Sequence, residues 1–161
     1  MIVSKSDYLV GRAAMEVVMD GNGVADRVEI MELLGRHQIY IDLKDADGYA
    51  GLYAEDGSYE SPFGGSTGRA AIKELFLGLQ ASGFTAGKRH MSGPAMIDID
   101  GERATALSYY WVAETEGDPG VYATGSYRDE LIKADGRWLI SRRVQTLDAS
   151  SVSAGTAGGD A

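Results

Sequence analysis

Asp42 and His90 are the side chains of this sequence with the clearest chemical potential. His90, one of only two histidines, lies where a segment rich in Gly and Ser turns into an apolar strand, and Asp42 interrupts the apolar face of a predicted helix. An Asp beside a His in an apolar cavity fixes the imidazole tautomer and stabilises the imidazolium that forms on proton uptake. Taken singly, Asp42 also fits a solvated helix position, and His90 fits a strand residue bonded to a backbone carbonyl. Together they predict a general-base pair.

The second histidine, His37, lies on the same predicted helix as Asp42. Five residues of helix turn the two side chains about 140° apart, so they are not expected to hydrogen-bond to each other. Both can still border one cavity. His37 is therefore a third candidate for the site.

The composition excludes several kinds of chemistry. The chain has no cysteine, which rules out disulfides, thiol nucleophiles and zinc–thiolate sites. Two histidines, with no HExxH motif and no carboxylate cluster at ligand spacing, predict no metal site, and we expect no cofactor. The net charge of −9 argues against nucleic acid, because phosphate contact needs clustered Lys and Arg. A small-molecule substrate is the expected partner.

The sequence also lacks the usual signals for membranes and export. No apolar run reaches the ~18 residues of a membrane span. The first residues lack the basic stretch, apolar core and cleavage site of a signal peptide. The expectation is a cytoplasmic protein that does not bind membranes.

Hydrophobic spacing divides the chain into helices followed by strands. It predicts a main helix over residues 25–45, a second helical piece over 49–54 and a third helix over 68–80, with Thr67 as the N-cap of the third. Strands are predicted over residues 58–63, 91–99, 104–113, 121–133 and 137–147. The last two strands meet at Asp135-Gly136, which is a strong hairpin signal.

This order of elements predicts an α+β fold, a curved antiparallel sheet with helices packed on its concave face. Such a sheet, closed by helices, is a cone with an apolar interior where small-molecule sites form. We expect one domain over residues 25–148. Residues 1–24 are predicted as an N-terminal extension with a short helix over 8–19 and a turn at Asp20-Gly21-Asn22-Gly23. Residues 149–161 are predicted as a disordered tail of Gly, Ala and Ser.

Motifs along residues 25–148 occur in an order and spacing that resemble one known family. They include Tyr40-Ile41-Asp42-Leu43-Lys44-Asp45, Gly64-Gly65-Ser66-Thr67-Gly68-Arg69, Arg89-His90-Met91 and Asp135-Gly136-Arg137-Trp138. The resemblance is to the SnoaL-like branch of the NTF2-like superfamily, and it implies the NTF2-like cone as the fold. Scytalone dehydratase, the bile-acid 7α-dehydratases and hexachlorocyclohexane dehydrochlorinase are similar in carrying an Asp on the first helix and a His at the start of this strand.

The resemblance implies a cofactor-independent lyase that acts on a small aromatic or alicyclic molecule. In such an elimination, His90 removes a proton from carbon, Asp42 orients the imidazole, and a group leaves from the adjacent carbon. His37 falls where related dehydratases carry a Tyr and the dehydrochlorinase a cation, so it is expected to bind or protonate the leaving group. The tyrosines expected to line the substrate pocket are Tyr40, Tyr49, Tyr53, Tyr59, Tyr110 and Tyr127.

Other functions stay open at this point. The same pair can remove a proton and return it elsewhere, as in a ketosteroid-isomerase-like isomerase or a polyketide-cyclase-like enzyme, or it can drive carbon–carbon cleavage. A non-catalytic binding module or the small subunit of a ring-hydroxylating dioxygenase is a further alternative, in which the His and the Asp need no mutual contact. The resemblance also implies a homo-oligomer, a trimer or a dimer, joined through the sheet.

Overall fold

The computed structural model describes residues 21–149, which form three helices and a seven-stranded sheet. The helices are α1 (Gly21–Leu43), α2 (Ala46–Gly51) and α3 (Arg69–Ala81). The strands are β1 (Tyr53–Ser61), β2 (Gly64–Thr67), β3 (Lys88–Ser92), β4 (Met96–Asp100), β5 (Arg103–Glu114), β6 (Val121–Ala134) and β7 (Arg137–Leu147). The predicted helix over residues 8–19 and the predicted tail from residue 150 onward lie outside the described residues.

The strands form one curved sheet in the order β2-β1-β7-β6-β5-β3, and β4 pairs with β5 beyond the end of β3. The predicted α+β class and NTF2-like fold are confirmed. The prediction of an antiparallel sheet is correct for every pairing among the described strands except one, because β1 and β7 run parallel. Strand β1 enters the sheet from the helical half of the chain, and a long stretch of chain separates it from β7.

Helix α1 lies across the sheet and supplies much of the core. Its buried face includes Ile30, Leu33 and Leu34, which pack in one cluster with Trp138 and Ile140 of β7. The alternation of buried and exposed residues along β5 places one face of that strand on this core and the other face outside. The interior of the cone is therefore formed by α1, the two shorter helices and the inner face of the sheet.

The first turns of α1 begin earlier than the sequence predicts. The helix starts at Gly21, so residues 21–23 are helical rather than part of a turn, and the predicted helix start at Ala25 was wrong. Tertiary contacts hold this end: the Asp26 carboxylate accepts hydrogen bonds from Lys133 Nζ (2.6 Å) and the Trp138 indole (3.0 Å). Arg27 Nη1 donates to the carbonyl of Ile97 at 2.9 Å. Such contacts override the low helix propensity of glycine.

Turn chemistry explains where other boundaries fall. Asp135 and Gly136 both have positive φ, 51° and 74°, which is the backbone of the predicted two-residue hairpin. The predicted strand over residues 91–99 is divided into β3 and β4, because Pro94 has no N–H to offer a neighbouring strand. The predicted second helix was placed too late, since α2 starts at Ala46, with the Asp45 carboxylate accepting from the backbone N–H of Gly48 at 2.8 Å.

The third helix differs by one residue at its start. Its N-cap is Gly68 rather than Thr67, and the φ of 90° at Gly68 is a conformation that side chains disfavour. Thr67 is instead the last residue of β2. Within residues 21–149, none of the helices has the length and apolar character needed to cross a bilayer.

Candidate active site

The structure brings Asp42 and His90 into direct contact. Asp42 lies in the last turn of α1, and His90 is the central residue of β3. His90 Nδ1 is 2.9 Å from Asp42 Oδ1. The side chains of both residues are largely shielded from solvent, with 11% of His90 and 14% of Asp42 exposed.

Further contacts fix the Asp42 carboxylate in place. The backbone N–H of His90 donates to Asp42 Oδ1 at 3.1 Å and to Oδ2 at 3.3 Å. The guanidinium of Arg89 lies 3.2 Å from Asp42 Oδ2, on a side chain that is 62% exposed. Asp42 is thus held by the backbone and the ring of the same histidine, while an exposed ion pair of this kind adds little energy.

This arrangement determines which ring nitrogen of His90 can act as a base. An ionised carboxylate only accepts hydrogen bonds, so the Nδ1 that faces Asp42 carries the proton in the neutral imidazole. The other nitrogen, Nε2, then has a free lone pair and can take a proton. The imidazolium that results is stabilised by the negative charge of Asp42.

His90 lines a small cavity between the helices and the inner face of the sheet. The cavity volume is about 50 Å³. The other lining residues are Ile41, Tyr49, Tyr59, Phe63, Phe76, Leu79, Phe84, Thr85, Tyr127 and Gln145. A larger hollow of about 400 Å³ beside Asp98 and Glu130 is lined by no histidine and no tyrosine. The cavity at His90 is therefore the place where a base and aromatic walls coincide.

Three of the six tyrosines expected in the pocket line this cavity: Tyr49, Tyr59 and Tyr127. The other three lie elsewhere. Tyr40 packs against the core cluster, Tyr53 belongs to that cluster with none of its surface exposed, and the Tyr110 hydroxyl accepts a hydrogen bond from Gln145. These three do not line the cavity, since periodicity alone does not tell a lining residue from its neighbours in the core.

A chain of hydrogen bonds runs behind the cavity wall. The Tyr59 hydroxyl donates to Gln145 Oε1 in a short contact. Gln145 Nε2 donates to the Tyr110 hydroxyl at 2.9 Å, and Tyr110 donates to the carbonyl of Thr146 at 3.1 Å. Burial raises the pKa of Tyr59 from its ordinary value and the pKa of Tyr110 to about 12. Both phenols therefore stay protonated at neutral pH.

His37 lies deeper than the cavity. It is 1% exposed, and its ring is enclosed by Tyr49, Tyr53 and Tyr127, with ring centroids 4.7, 6.4 and 5.5 Å away. The Tyr53 hydroxyl is 3.3 Å from His37 Nε2. Burial, followed by the positive charge of Arg143, holds the pKa of His37 well below its usual range. His37 is neutral at physiological pH, and it does not line the cavity.

The family of the chain follows from its whole sequence. The SnoaL-like domain matches residues 22–144, which covers most of the chain. This chain belongs to the SnoaL-like family. No curated protein sequence matches it significantly.

Solved structures share the fold of this SnoaL-like chain. A cystatin-like protein of unknown function from Nostoc punctiforme PCC 73102 is 30% identical, with a TM-score of 0.73 over 78% of this chain and 93% of that one. An NTF2-like protein from Novosphingobium aromaticivorans is 29% identical, with a TM-score of 0.71 over 85% and 97% of the two chains. A candidate scytalone dehydratase from the same bacterium is 24% identical, with a TM-score of 0.69 over 80% and 87%, and shows the likeness of fold.

Sequence reasoning missed a buried ion pair next to the site of this SnoaL-like domain. Arg143 and Asp129 face each other on β7 and β6 with no exposed surface, and their two contacts measure 2.6 and 2.9 Å. The guanidinium lies 4.4 Å from the centre of the Tyr127 ring. Burial lowers the pKa of Arg143, but the Asp129 carboxylate, together with Tyr53 and Tyr127, raises it, and the net shift is upward, so the guanidinium stays charged.

Simple alternation along β7 does not predict these residues. From Trp138 and Ile140, a period of two would place Arg143 on the opposite face of the strand. An irregularity in the pairing with β6, between Ile140 and Arg142, changes the face and brings Arg143 to the core side. No group of three or more His, Cys, Asp or Glu side chains in the described part of the chain could hold a metal ion.

Proposed function

We propose that this SnoaL-like protein is a cofactor-independent lyase that uses His90 as a general base and Asp42 as its orienting partner. The observation that carries the proposal is the 2.9 Å contact between His90 Nδ1 and Asp42 at the wall of an aromatic cavity. The family includes dehydratases and cyclases, and this breadth leaves the reaction to be argued from the site.

The proposed reaction is an elimination. His90 Nε2 removes a proton from a carbon of the bound molecule, and the pair of the broken C–H bond forms the double bond. The group on the adjacent carbon leaves with the electron pair of its own bond to that carbon. Asp42 stabilises the imidazolium through the step and needs no proton itself. Because its position is already set by the backbone of His90, little rearrangement is required when the charge forms.

The walls of the cavity favour a small, ring-shaped substrate. Tyr49 stacks on Phe76 with ring centroids 4.3 Å apart, and Tyr127 covers the sheet side. Burial raises the pKa of Tyr49 and Tyr127 well above their ordinary value, so both hydroxyls keep their protons. We propose that one of them donates a hydrogen bond to the leaving group.

In this proposal His37 is a positioning residue. The sequence-based expectation was direct contact with the leaving group, but the ring lies behind the tyrosines that line the cavity. A neutral His37 that contacts Tyr53 and packs on Tyr49 holds the aromatic wall in place. His37 then affects catalysis indirectly, by fixing the position of Tyr49.

The contact between Asp42 and His90 favours an enzyme over a non-catalytic binding module. In a module without chemistry, the two side chains would need neither mutual contact nor a shared cavity. Elimination and isomerisation use the same base, and the products distinguish them. An isomerase gives a product of the same mass as its substrate, whereas a lyase releases an unsaturated product and a leaving group.

The test is turnover of a panel of hydroxylated alicyclic and aromatic compounds, with product analysis by mass spectrometry. On any substrate found, His90→Gln and Asp42→Asn should each lower kcat by about 10²–10⁴-fold. The matched control is Arg36→Gln, an exposed residue on the same helix as Asp42 that pairs with Glu32. Wild-type rates in both site variants would exclude His90 as the base.

We also propose that the chain self-associates, as a trimer, through the outer face of the sheet. Tyr109 and Trp111 of β5 and Met96 of β4 are exposed apolar side chains on the opposite face from buried Tyr110 and Val112. Light scattering measures the mass directly. Trp111→Glu should lower it to that of one chain, and an unchanged mass would exclude this face.

A further inference from the structure

The cavity at His90 is too small for the substrates proposed above. Its volume is about 50 Å³. An apolar cavity that holds a benzene ring measures about 150 Å³. A six-membered ring can reach His90 only if part of the wall moves. The inference that follows rests on the proposed function, because it concerns how a substrate of that class reaches the base.

Most of the wall belongs to regular secondary structure. Ile41, Tyr49 and Phe76 come from the three helices, and Tyr127 and Gln145 come from the centre of the sheet. Displacing the backbone of any of them would break hydrogen bonds within a helix or a strand ladder. These parts of the wall are therefore the least able to open.

Phe63, Phe84 and Thr85 lie outside the helices and strands and are the exceptions. Phe63 lies in the two-residue turn between β1 and β2, and Phe84 lies in the loop over residues 82–87 between α3 and β3. Gly83 and Gly87 flank Phe84 with φ of 77° and 65°, conformations that glycine adopts far more readily than other residues. The backbone on both sides of Phe84 thus has freedom that the helices and strands lack.

The two phenylalanines meet across the mouth of the cavity. Their ring centroids are 4.6 Å apart, with the planes tilted by 56°. Phe63 is 37% exposed, so it has the cavity on one side and solvent on the other. Since the two rings belong to separate segments, their contact can break while both segments keep their own fold.

We propose that Phe63 and Phe84 form the entrance to the cavity and determine which molecules reach His90. The closed pair restricts the access of solvent and solutes to the base. When the two phenylalanine rings separate, a flat apolar molecule can enter. The width of the opening between them favours single-ring molecules over fused-ring ones. The pair acts before the chemical step and does not touch the proton that is transferred.

The experiment measures binding at His90 and needs no turnover. The chain has two histidines, so ¹⁵N-histidine labelling gives two imidazole rings, and a His37→Gln sample assigns them. Phenol is the single-ring probe and 2-naphthol the fused-ring probe. The association rate constant of each is obtained from the His90 ring signals by line-shape analysis over a titration.

The variants are Phe63→Ala, Phe84→Ala and the double variant. The control is Leu77→Ala, which removes an apolar side chain of similar exposure (39%) from α3 without touching the cavity. If the open state of the wild type is populated at about 10% or less, removing the pair raises the association rate constant of phenol at least tenfold. The increase in the association rate constant should be larger for 2-naphthol than for phenol. The rate constants of Leu77→Ala should equal those of the wild type.

Equal rate constants in the wild type and in all three variants would overturn the entrance proposal, while the His90 and Asp42 turnover test would stand unaffected. Probes that shift no His90 signal in any variant would overturn it as well, together with the proposed substrate cavity. Should Phe84→Ala fail to fold, Phe63→Ala alone decides, because its side chain lies in an exposed turn. The converse variant Phe63→Trp should slow the association of phenol.

Discussion

Replacing His37 with Gln should make the stability of the protein less sensitive to acid. In the folded state His37 is enclosed by three tyrosine rings, and burial and the nearby Arg143 charge hold its pKa well below the usual range. In the unfolded chain the same ring titrates with a pKa of about 6.5. Below that pH the unfolded state binds a proton that the folded state does not bind.

The sign and size of the effect follow from this difference. Because protons bind preferentially to the unfolded state, the free energy of unfolding falls as the pH falls below 6.5. The slope approaches about 1.4 kcal/mol per pH unit for one histidine that stays neutral when folded. Integrated from pH 7 to pH 5, His37 accounts for a loss of about 2 kcal/mol. The stability that it contributes is fully present above the unfolded pKa and is lost toward acid.

The assay is urea unfolding at pH 7 and pH 5, at one protein concentration because association would shift the midpoint. The quantity compared is the difference between the two pH values, so any uniform destabilisation by the substitution cancels. His37→Gln should lose about 2 kcal/mol less than the wild type over this interval. His90→Gln, which keeps His37, should retain the loss that His37 causes. An equal difference in His37→Gln and the wild type would mean that the folded protein protonates His37, and the conclusion that it is buried and neutral would be wrong.

Three further substitutions test the core by urea unfolding at pH 7. Asp129→Asn should lower the free energy of unfolding by roughly 3–5 kcal/mol, because it leaves the buried Arg143 charge without its partner, and a loss below about 1 kcal/mol would contradict that account. Gly125→Ala should cost about 1–3 kcal/mol or more, since its new Cβ would press on the backbone carbonyl of Thr146. Gly35→Ala, on an open face of α1 with no neighbour within 4 Å, is the matched control and should stabilise the protein by about 0.5–1 kcal/mol.

The fold was predictable to the extent that local patterns decide it. The Asp135-Gly136 turn and the alternation along β5 depend on neighbours in sequence, and both appear where they were expected. The start of α1 was not predictable, because Asp26 and Arg27 owe their positions to β7 and β4, far along the chain. Local propensity favours a turn at Gly21 and Gly23, and the contacts with distant strands outweigh that propensity.

The candidate site divides in the same way. The resemblance of two motifs, one on a helix and one on a strand, to a known family suggested that Asp42 and His90 meet. Which tyrosines face the cavity depends on the depth of each side chain beneath the surface of the cone, and spacing along the chain carries no such measure. The depth of His37 was missed for this reason. Its helix position was right, but the ring points beneath the aromatic wall.

The hydrogen bonds that link Tyr59, Gln145 and Tyr110 determine whether the cavity offers a ligand hydrogen-bond donors or acceptors. Since Tyr59 gives its only proton to Gln145, and Gln145 in turn donates to Tyr110, the oxygen of Tyr59 has only lone pairs left for a ligand. His90 Nε2, in the neutral ring, is also an acceptor. A molecule that binds between Tyr59 and His90 Nε2 must therefore supply the hydrogen-bond donor itself. An ether or ketone of the same shape carries only acceptors and would leave both groups without a hydrogen bond.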